Sequence, residues 1–521
     1  MVRQELQALS KVTPNPPSPT KGLRGDSLGL ARSMALGLAA VAPAYSLAVT
    51  LGFVVVAVGQ HTPAAFVLGF LPILLTAFAF RDLNSEMPDC GGNFVWTSRV
   101  FGPTTGWFLG GWITQIASFI SMAALAQVAT TYLLQFLGLA SLADNALITS
   151  AIGCGLIILS TLIAVRGIEI AAWLQYALIA LQLVAIGGFC AGAFAHAASG
   201  DALPGAETPT LDWLNPFNFG YLGGLTQGVL LCLFIYWGWD ALISVNEETT
   251  DSSRTPGRAV VLSTIILLVC YGTTSFAALT YAGSGSNGIG DPNVVGDVLS
   301  ALGPGATGPI FGKVIVLAVG LSALAAMLTV TVSTPRMWLS MSIFKALPAR
   351  LSRIHPAWKT PYIATLWCGG LSVAVLIALT LIAPNFIGDA ILSVGLLIAA
   401  YYGATAVACV IYFRKQFRSP RALLVKGILP GAGALLMAAA FLISAINMFS
   451  PSYVNSSWLG IGTVFWIGVG ALVLGIIIVL VIRPALPGFF RQNSLPRGDV
   501  NSPPLQLTVT ENLEIKLVES E

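Results

Sequence analysis

Of the 521 residues, 56% are hydrophobic and 9% charged, with a mean hydropathy of +0.83. Soluble domains carry roughly 25% charged residues, so a chain of this length cannot cover itself with a water-soluble surface. It reads as a polytopic, all-α membrane protein whose first partner is the lipid bilayer. A net charge of +3 is too near neutral to point to nucleic acid.

The chain opens on a polar, Pro-rich stretch, residues 1–26, too hydrophilic for the apolar core of a signal peptide and read as a disordered cytoplasmic tail. About 20 apolar helical residues cross a hydrocarbon core of ~30 Å, and twelve stretches qualify. Five lie near 29–59, 63–82, 104–135, 145–165 and 170–195, forming a first unit over 27–195. A polar loop, 196–220, is read as extracellular. The next five lie near 221–247, 258–283, 309–335, 361–382 and 387–413, within 221–413. Two more, near 426–448 and 457–482, fill 414–483, and 484–521 is again polar and read as a disordered cytoplasmic tail.

Basic residues set the orientation. The N-terminal tail and the loops after the even-numbered spans hold Arg81, Arg99, Arg166, Arg254, Arg258, Arg336, Lys345, Arg414, Lys415 and their neighbours. The opposite loops have none, and only Lys313 breaks the pattern. A bias this strong puts both termini in the cytoplasm, in the plasma (inner) membrane of a cell.

The seven cysteines are scattered, mostly in apolar runs and without a CxxC pair, and read as small buried hydrophobes. Three histidines and the lack of HExxH, Ser/His/Asp or P-loop patterns leave no metal cage and almost nothing for an enzyme to use. The acidic residues say more. Most lie in tails, loops or near helix ends; Asp240 stands well inside the sixth span, in LCLFIYWGWDALISV, with no basic residue in that stretch. A charge at that depth costs at least ~2.5–3.5 kcal/mol, so it needs a partner, a proton or a water-filled cavity. Two readings are open: a group on a transport route that takes up protons or faces cations, or a structural carboxylate bonded to backbone amides at a helix break.

Around Asp240, Tyr236-Trp237-Gly238-Trp239 sets a glycine between two indoles, where a helix unwinds easily. In the first span, Val41-Ala42-Pro43-Ala44-Tyr45-Ser46 places a proline about midway, removing a backbone bond and crowding the preceding turn. Free backbone groups at membrane depth are tolerated where they line a cavity. Breaks in corresponding spans of two five-helix halves are the pattern of an inverted-repeat transporter, whose substrate sits at the midplane. Amides opening the pieces after each break suit a carboxylate, and carbonyls released before each break suit an ammonium. The substrate-binding residues expected are Ala42, Pro43, Ala44, Tyr45, Ser46, Phe234, Tyr236, Trp237, Gly238, Trp239 and Asp240. Phe234, Trp237 and Trp239 are either a cation–π wall or aromatics packed on neighbouring helices or lipid. Gln115, Ser118, Gln175, Ser322, Thr329, Tyr401 and Tyr402 either line the cavity or bond between helices.

With these residues in view the chain resembles the amino acid permeases of the amino acid–polyamine–organocation (APC) superfamily over roughly Leu28 to Arg414. Asn84-Ser85-Glu86-Met87-Pro88-Asp89-Cys90-Gly91-Gly92-Asn93-Phe94 resembles the family's E-x-P-x-x-G-G segment. Asn246-Glu247-Glu248-Thr249 with Arg254-Thr255-Pro256-Gly257-Arg258-Ala259 resembles the signature after the sixth span, and Pro335-Arg336-Met337 that after the eighth. The resemblance implies two inverted five-helix repeats plus two peripheral helices, as in the bacterial leucine transporter. It also implies a secondary transporter, not an enzyme, importing amino acids by alternating access, with a proton as coupling ion and Asp240 as its carrier. Sodium remains an alternative, and no cofactor is expected. Glu86, Glu247, Glu248 and Arg258 become contacts of an inner gate, or else solvated loop charge.

Three departures bear on substrate. The family's glycine-rich first break is Ala42-Pro43-Ala44 here, and Pro43 has no N–H to offer a carboxylate. The fifth span, from Ile170 to Cys190, lacks the lysine of some proton-coupled relatives. The usual Asp after the eighth span is missing from Ile343-Phe344-Lys345-Ala346-Leu347-Pro348. A polyamine or organic-amine transporter, or an amino acid exchanger, is therefore the rival within the family. A sensor that binds without carrying is the rival outside it.

Overall fold

The computed structural model describes residues 21–215, 222–382, 386–451, 457–502, 507–509 and 515–517. Most of the N-terminal tail, part of the 196–220 loop and parts of the last 20 residues lie outside them. Among the described residues, ten helical stretches are long and apolar enough to cross a membrane. The first, Leu30–Glu86, has 57 residues, far more than one crossing needs, and is interrupted twice. Helix α1 (Leu30–Val41) gives way at Ala42 to α2 (Pro43–Val58), and a tight turn, Gly59–His61, leads into α3 (Thr62–Glu86).

A short helix, α4 (Asn93–Phe101), precedes a long apolar stretch, α5 (Pro103–Phe136), with a π-helical turn at Trp107–Trp112. Then come α6 (Ala146–Arg166) and α7 (Ile168–Ser199). The next span is broken as well: α8 (Leu222–Ile235) stops, five non-helical residues follow, and α9 (Ala241–Ser244) is a single turn. Alone, α8 is too short to cross. The rest comprises α10 (Thr255–Ala282), α11 (Val298–Thr307), α12 (Pro309–Ile343), α13 (Tyr362–Ile382), α14 (Phe386–Phe413), α15 (Leu429–Phe449) and α16 (Thr463–Ile482).

The two broken spans pair piece by piece, α1 against α9 and α2 against α8. Around them pack α7, α10 and α12, while α5 lies along α12 and α14. Leucines, isoleucines and valines remain exposed on the outer flanks, as at Ile310 (84%) and Val481 (69%). In water such a surface would aggregate; in lipid it is the ordinary exterior.

Two expectations are corrected. Residues 21–27 do not trail away: Ser27 and Leu28 donate backbone N–H bonds to Glu248 O at 2.9 and 3.0 Å, and Lys21 is buried. Residues 484–502 are also packed. Phe489 is buried with its ring 5.4 Å from that of Phe94. Ser494 Oγ donates to Phe344 O at 2.5 Å, and Gly498 N to Arg99 O at 3.0 Å. Polar composition concealed the apolar anchors Phe489, Phe490 and Leu495.

Close backbone approach fixes the α4–α5 contact. A Cβ on Gly110 would sit 2.2 Å from Asn93 O and 2.2 Å from Thr97 Oγ1, and the backbone oxygen cannot swing aside. Gly110→Ala is expected to cost about 1–3 kcal/mol through overpacking. The check is a lower melting temperature of the detergent-solubilised protein, with Gly155→Ala, whose Cβ meets nothing, as the control.

Candidate functional site

Both breaks are built from local chemistry. At the first, Ala42 adopts the left-handed conformation (φ 52°), which an alanine accepts at a cost of about 1–2 kcal/mol. Pro43 then occupies the first position of α2, where a missing N–H costs nothing and the fixed φ is already helical. The proline therefore starts a new helix and does not kink an existing one. At the second break, Gly238 has φ +119°, and a Cβ there would lie 2.7 Å from Ala40 O. The two breaks touch at this point, and glycine is what lets the backbones meet.

Hydroxyls take up carbonyls that the breaks release. Ser46 Oγ donates to Val41 O at 2.8 Å, and Tyr271 OH to Ile235 O at 2.9 Å. The amides of α2 are partly used too: Tyr45 N–H goes to Ser322 Oγ (3.2 Å) and Ser46 N–H to Ala42 O (2.9 Å). With Pro43 having none, Ala44 is the remaining amide of that turn.

Beside the contact lies a cavity of about 40 Å³. Asp240, Trp237 and Gly238 line it from the second break, Asn93 from α4, and Thr114, Gln115 and Ser118 from α5. Ser333, Thr334 and Met337 close it from α12, and Tyr401 from α14. Trp237 Nε1 donates to Tyr401 OH at 2.5 Å, and Tyr401 OH donates to Asp240 Oδ2 at 2.7 Å. Among the described residues Asp240 has no ion-pair partner. Four other lining atoms, Asn93 Oδ1, Thr114 Oγ1, Gln115 Oε1 and Thr334 Oγ1, are buried without a hydrogen-bond partner. Buried polar atoms are nearly always paired, so four unpaired atoms around one cavity make it a polar pocket that water or a polar guest can satisfy.

The remaining expected residues sit elsewhere. Ala42, Pro43, Ala44, Tyr45 and Ser46 are buried at the first break and do not line the cavity. Tyr236 and Trp239 are fully buried in aromatic packing, Tyr236 against Phe70 and Tyr271, Trp239 against Phe80 and Tyr402. Phe234 is half-buried against the core. Of the three aromatics weighed as a cation–π wall, Trp237 alone faces the cavity. Gln175 bonds between helices, its Nε2 donating to Ala325 O (2.7 Å) and Thr329 Oγ1 (2.9 Å). Ser322 donates to Gln182 Oε1 at 2.7 Å.

Toward the end of the bundle that carries both terminal segments, the cavity gives way to buried charge. Lys21 Nζ lies 2.6 Å from Glu247 Oε1 and 2.7 Å from Asp89 Oδ2. Cys90 N–H donates to Glu247 Oε1 at 3.0 Å, and Ser340 Oγ to Asp89 Oδ1 at 2.6 Å. Donor atoms of Asp89, Cys90 and Glu247 all fall within 4.8 Å of one another, a cation cage in composition, and the Lys21 ammonium is the cation that fills it. One turn away, Arg336 grips both oxygens of Glu248, its Nη2 reaching Oε1 at 2.8 Å. Burial opposes the charge on Lys21, but the facing Asp89 and Glu247 carboxylates hold its amine above the ordinary lysine range. The Cys90 thiol is pushed up by burial and by the neighbouring Glu247 carboxylate.

Reading Glu247 and Glu248 as solvated loop charge is thus overturned; both are buried ion-pair members. Glu86 keeps a distant approach to Lys426 Nζ (3.9 Å), and Arg258 is exposed with no ion-pair partner among the described residues. Asp89 and Arg336 entered the sequence reading as parts of motifs, and neither they nor Lys21 were given a role there. Cys90 is no mere apolar filler. The signal available was a charged residue in each of four short segments, basic at Lys21 and Arg336 and acidic at Asp89 and Glu247-Glu248.

Four similarities accompany this geometry. The amino acid permease family model matches residues 31–477. The branched-chain amino acid permease BcaP of Bacillus subtilis (strain 168) is 24% identical over 79% of this chain and 86% of its own. The low-affinity putrescine importer PlaP of Escherichia coli (strain K12) is 24% identical over 84% and 92%, and the methylthioribose transporter of B. subtilis (strain 168) 23% identical over 69% and 77%.

Removing one partner of a buried ion pair costs about 3–5 kcal/mol, so Lys21→Ala should loosen this end of the bundle. The reading is maleimide labelling of Cys90, located by peptide mass spectrometry. Labelling at least ten-fold faster than in the unaltered protein is expected, whereas an unchanged rate would show that Lys21 does not hold the segment shut.

Proposed function

We propose that this chain, which belongs to the amino acid permease family, is a secondary active transporter that imports small amino-bearing solutes, amino acids first, by alternating access. In this reading twelve spans form two inverted five-helix repeats, each opened by a broken span, plus the peripheral α15 and α16. Both termini are cytoplasmic in a plasma membrane, and the solute binds where the breaks meet. The observation that carries it is the cavity beside the Ala40–Gly238 contact, with an Asp240 carboxylate and four orphaned polar atoms. The lining suits a guest with an ammonium group, and a space of about 40 Å³, room for little more than one water, has to widen to admit it. The ion pairs Lys21–Glu247, Lys21–Asp89 and Arg336–Glu248 form the inner gate, because they join the segment before α1, the turn after α9 and α12.

A proton fits as coupling ion. Asp240 has hydroxyl donors nearby and no basic residue, so its charge is balanced by the guest's ammonium or by a proton. Sodium finds a poorer place on α12, where the Gln175 amide already occupies Ala325 O and Thr329 Oγ1. Asp240→Asn is expected to abolish accumulation driven by an acid-outside gradient while sparing exchange. An unchanged pH dependence in that variant would sink the coupling role.

A second reading, transport of amines without a carboxylate, is favoured by the acceptor-rich lining and by the depleted amides at the first break. Counterflow in proteoliposomes with labelled amino acids and putrescine, at matched pH, separates the two. Amino acid counterflow is expected; counterflow of putrescine alone would establish the amine reading. Binding without counterflow of either would make the protein a sensor and end the transport proposal.

A further inference from the structure

We propose that the cytoplasmic turn between α14 and α15 is a binding site for the phosphate group of an anionic phospholipid, held by Arg414, Arg418 and Lys415. The inference takes the membrane orientation from the proposed function; the geometry of the cleft is independent of it.

The two spans flanking this turn, Asp389–Gln416 and Pro420–Phe449, are separated by three residues. A connection that short cannot leave the membrane surface, so its side chains stand at headgroup level. Arg414, Lys415 and Arg418 are exposed there and, with Phe417 and Asn501, line an open cleft of about 530 Å³. The cleft has fixed walls. The Phe417 ring packs over Gly427, where an added Cβ would lie 3.0 Å from it. The far side is the docked C-terminal segment, held by Lys415 Nζ on Asp499 Oδ2 at 2.6 Å.

Asp499 pairs with Lys415 and its charge also reaches Arg414, while among the described residues Arg418 has no ion-pair partner. Two guanidiniums at headgroup level, beside the Lys415–Asp499 pair and the Asn501 amide, match a phosphodiester, whose oxygens accept paired N–H donors from arginine. Clustered cations immediately cytoplasmic of a span attract anionic lipid.

The test uses the full chain in nanodiscs of phosphatidylcholine with and without phosphatidylglycerol, reading retained lipid by native mass spectrometry. The unaltered protein should retain phosphatidylglycerol in preference to phosphatidylcholine. Arg414→Ala/Arg418→Ala should weaken that retention about five-fold per removed cation, with an unchanged melting temperature in phosphatidylcholine alone. Arg350→Ala/Arg353→Ala removes the same charge from exposed positions elsewhere on this face and should keep most of the retention. An equal loss in both variants would show a diffuse potential and overturn the site. Inorganic phosphate at millimolar concentration, raising the melting temperature in phosphatidylcholine as phosphatidylglycerol does, would make the ligand a soluble anion and overturn the lipid assignment.

Discussion

Inside hydrocarbon every backbone N–H and C=O must find a partner within the protein, because no water is there to supply one. Two interrupted helices at membrane depth are therefore the most demanding feature of this molecule, and much of its interior answers that demand. The breaks are stacked so that Gly238 rests on Ala40 O, which keeps irregular backbone buried in protein and away from lipid. Ser46 and Tyr271 deliver hydroxyls to Val41 O and Ile235 O, and Ser322 receives the Tyr45 amide. Each partner comes from a different helix, so α10 and α12 are held in place by the same bonds that make the breaks affordable.

The same bonds decide what is left for a guest. Carbonyls that could hold an ammonium are taken by hydroxyls, and amides that could hold a carboxylate are reduced by Pro43 and Ser322. In the proposed transport reading, recognition passes to side chains: Asp240 with its Trp237–Tyr401 relay, and the unpaired atoms of Asn93, Thr114, Gln115 and Thr334. The balance is tilted toward acceptors, which suits the positive end of a zwitterion better than the negative end.

Much of this was legible in the sequence because membranes impose simple arithmetic. Span length, the lysine and arginine bias and the positions of Pro43 and Gly238 can be read from residue type and spacing alone. The role of the proline was misjudged, since sequence shows that Pro43 interrupts a pattern but not that Ala42 turns left-handed and lets it start α2. The buried charges were harder. Glu247, Glu248 and Asp89 stand in polar segments whose composition matches any solvated loop, and their pairing with Lys21 and Arg336 joins positions 68 to 226 residues apart. The packed ends, 21–27 and 484–502, were hidden for a related reason: a few anchors, such as Lys21, Phe489 and Leu495, decide their fate within otherwise polar stretches.

Helix α12 links the two halves of the site. Thr334 and Met337 face the cavity, while Arg336, between them in sequence, holds Glu248 in an ion pair of the proposed inner gate. A side chain in the cavity and a side chain in the gate are thus carried by one turn of one helix and cannot move independently. A guest shifts a conformational balance only by binding one state better than the other, and ion pairs worth several kcal/mol when broken singly set a high threshold. If the pairs part together, with Lys21 withdrawing as its carboxylates meet water, no charge is stranded in the interior and the threshold falls. If the protein works by the alternating access proposed above, the shared turn of α12 makes such a concerted step the least costly path from a closed inner face to an open one.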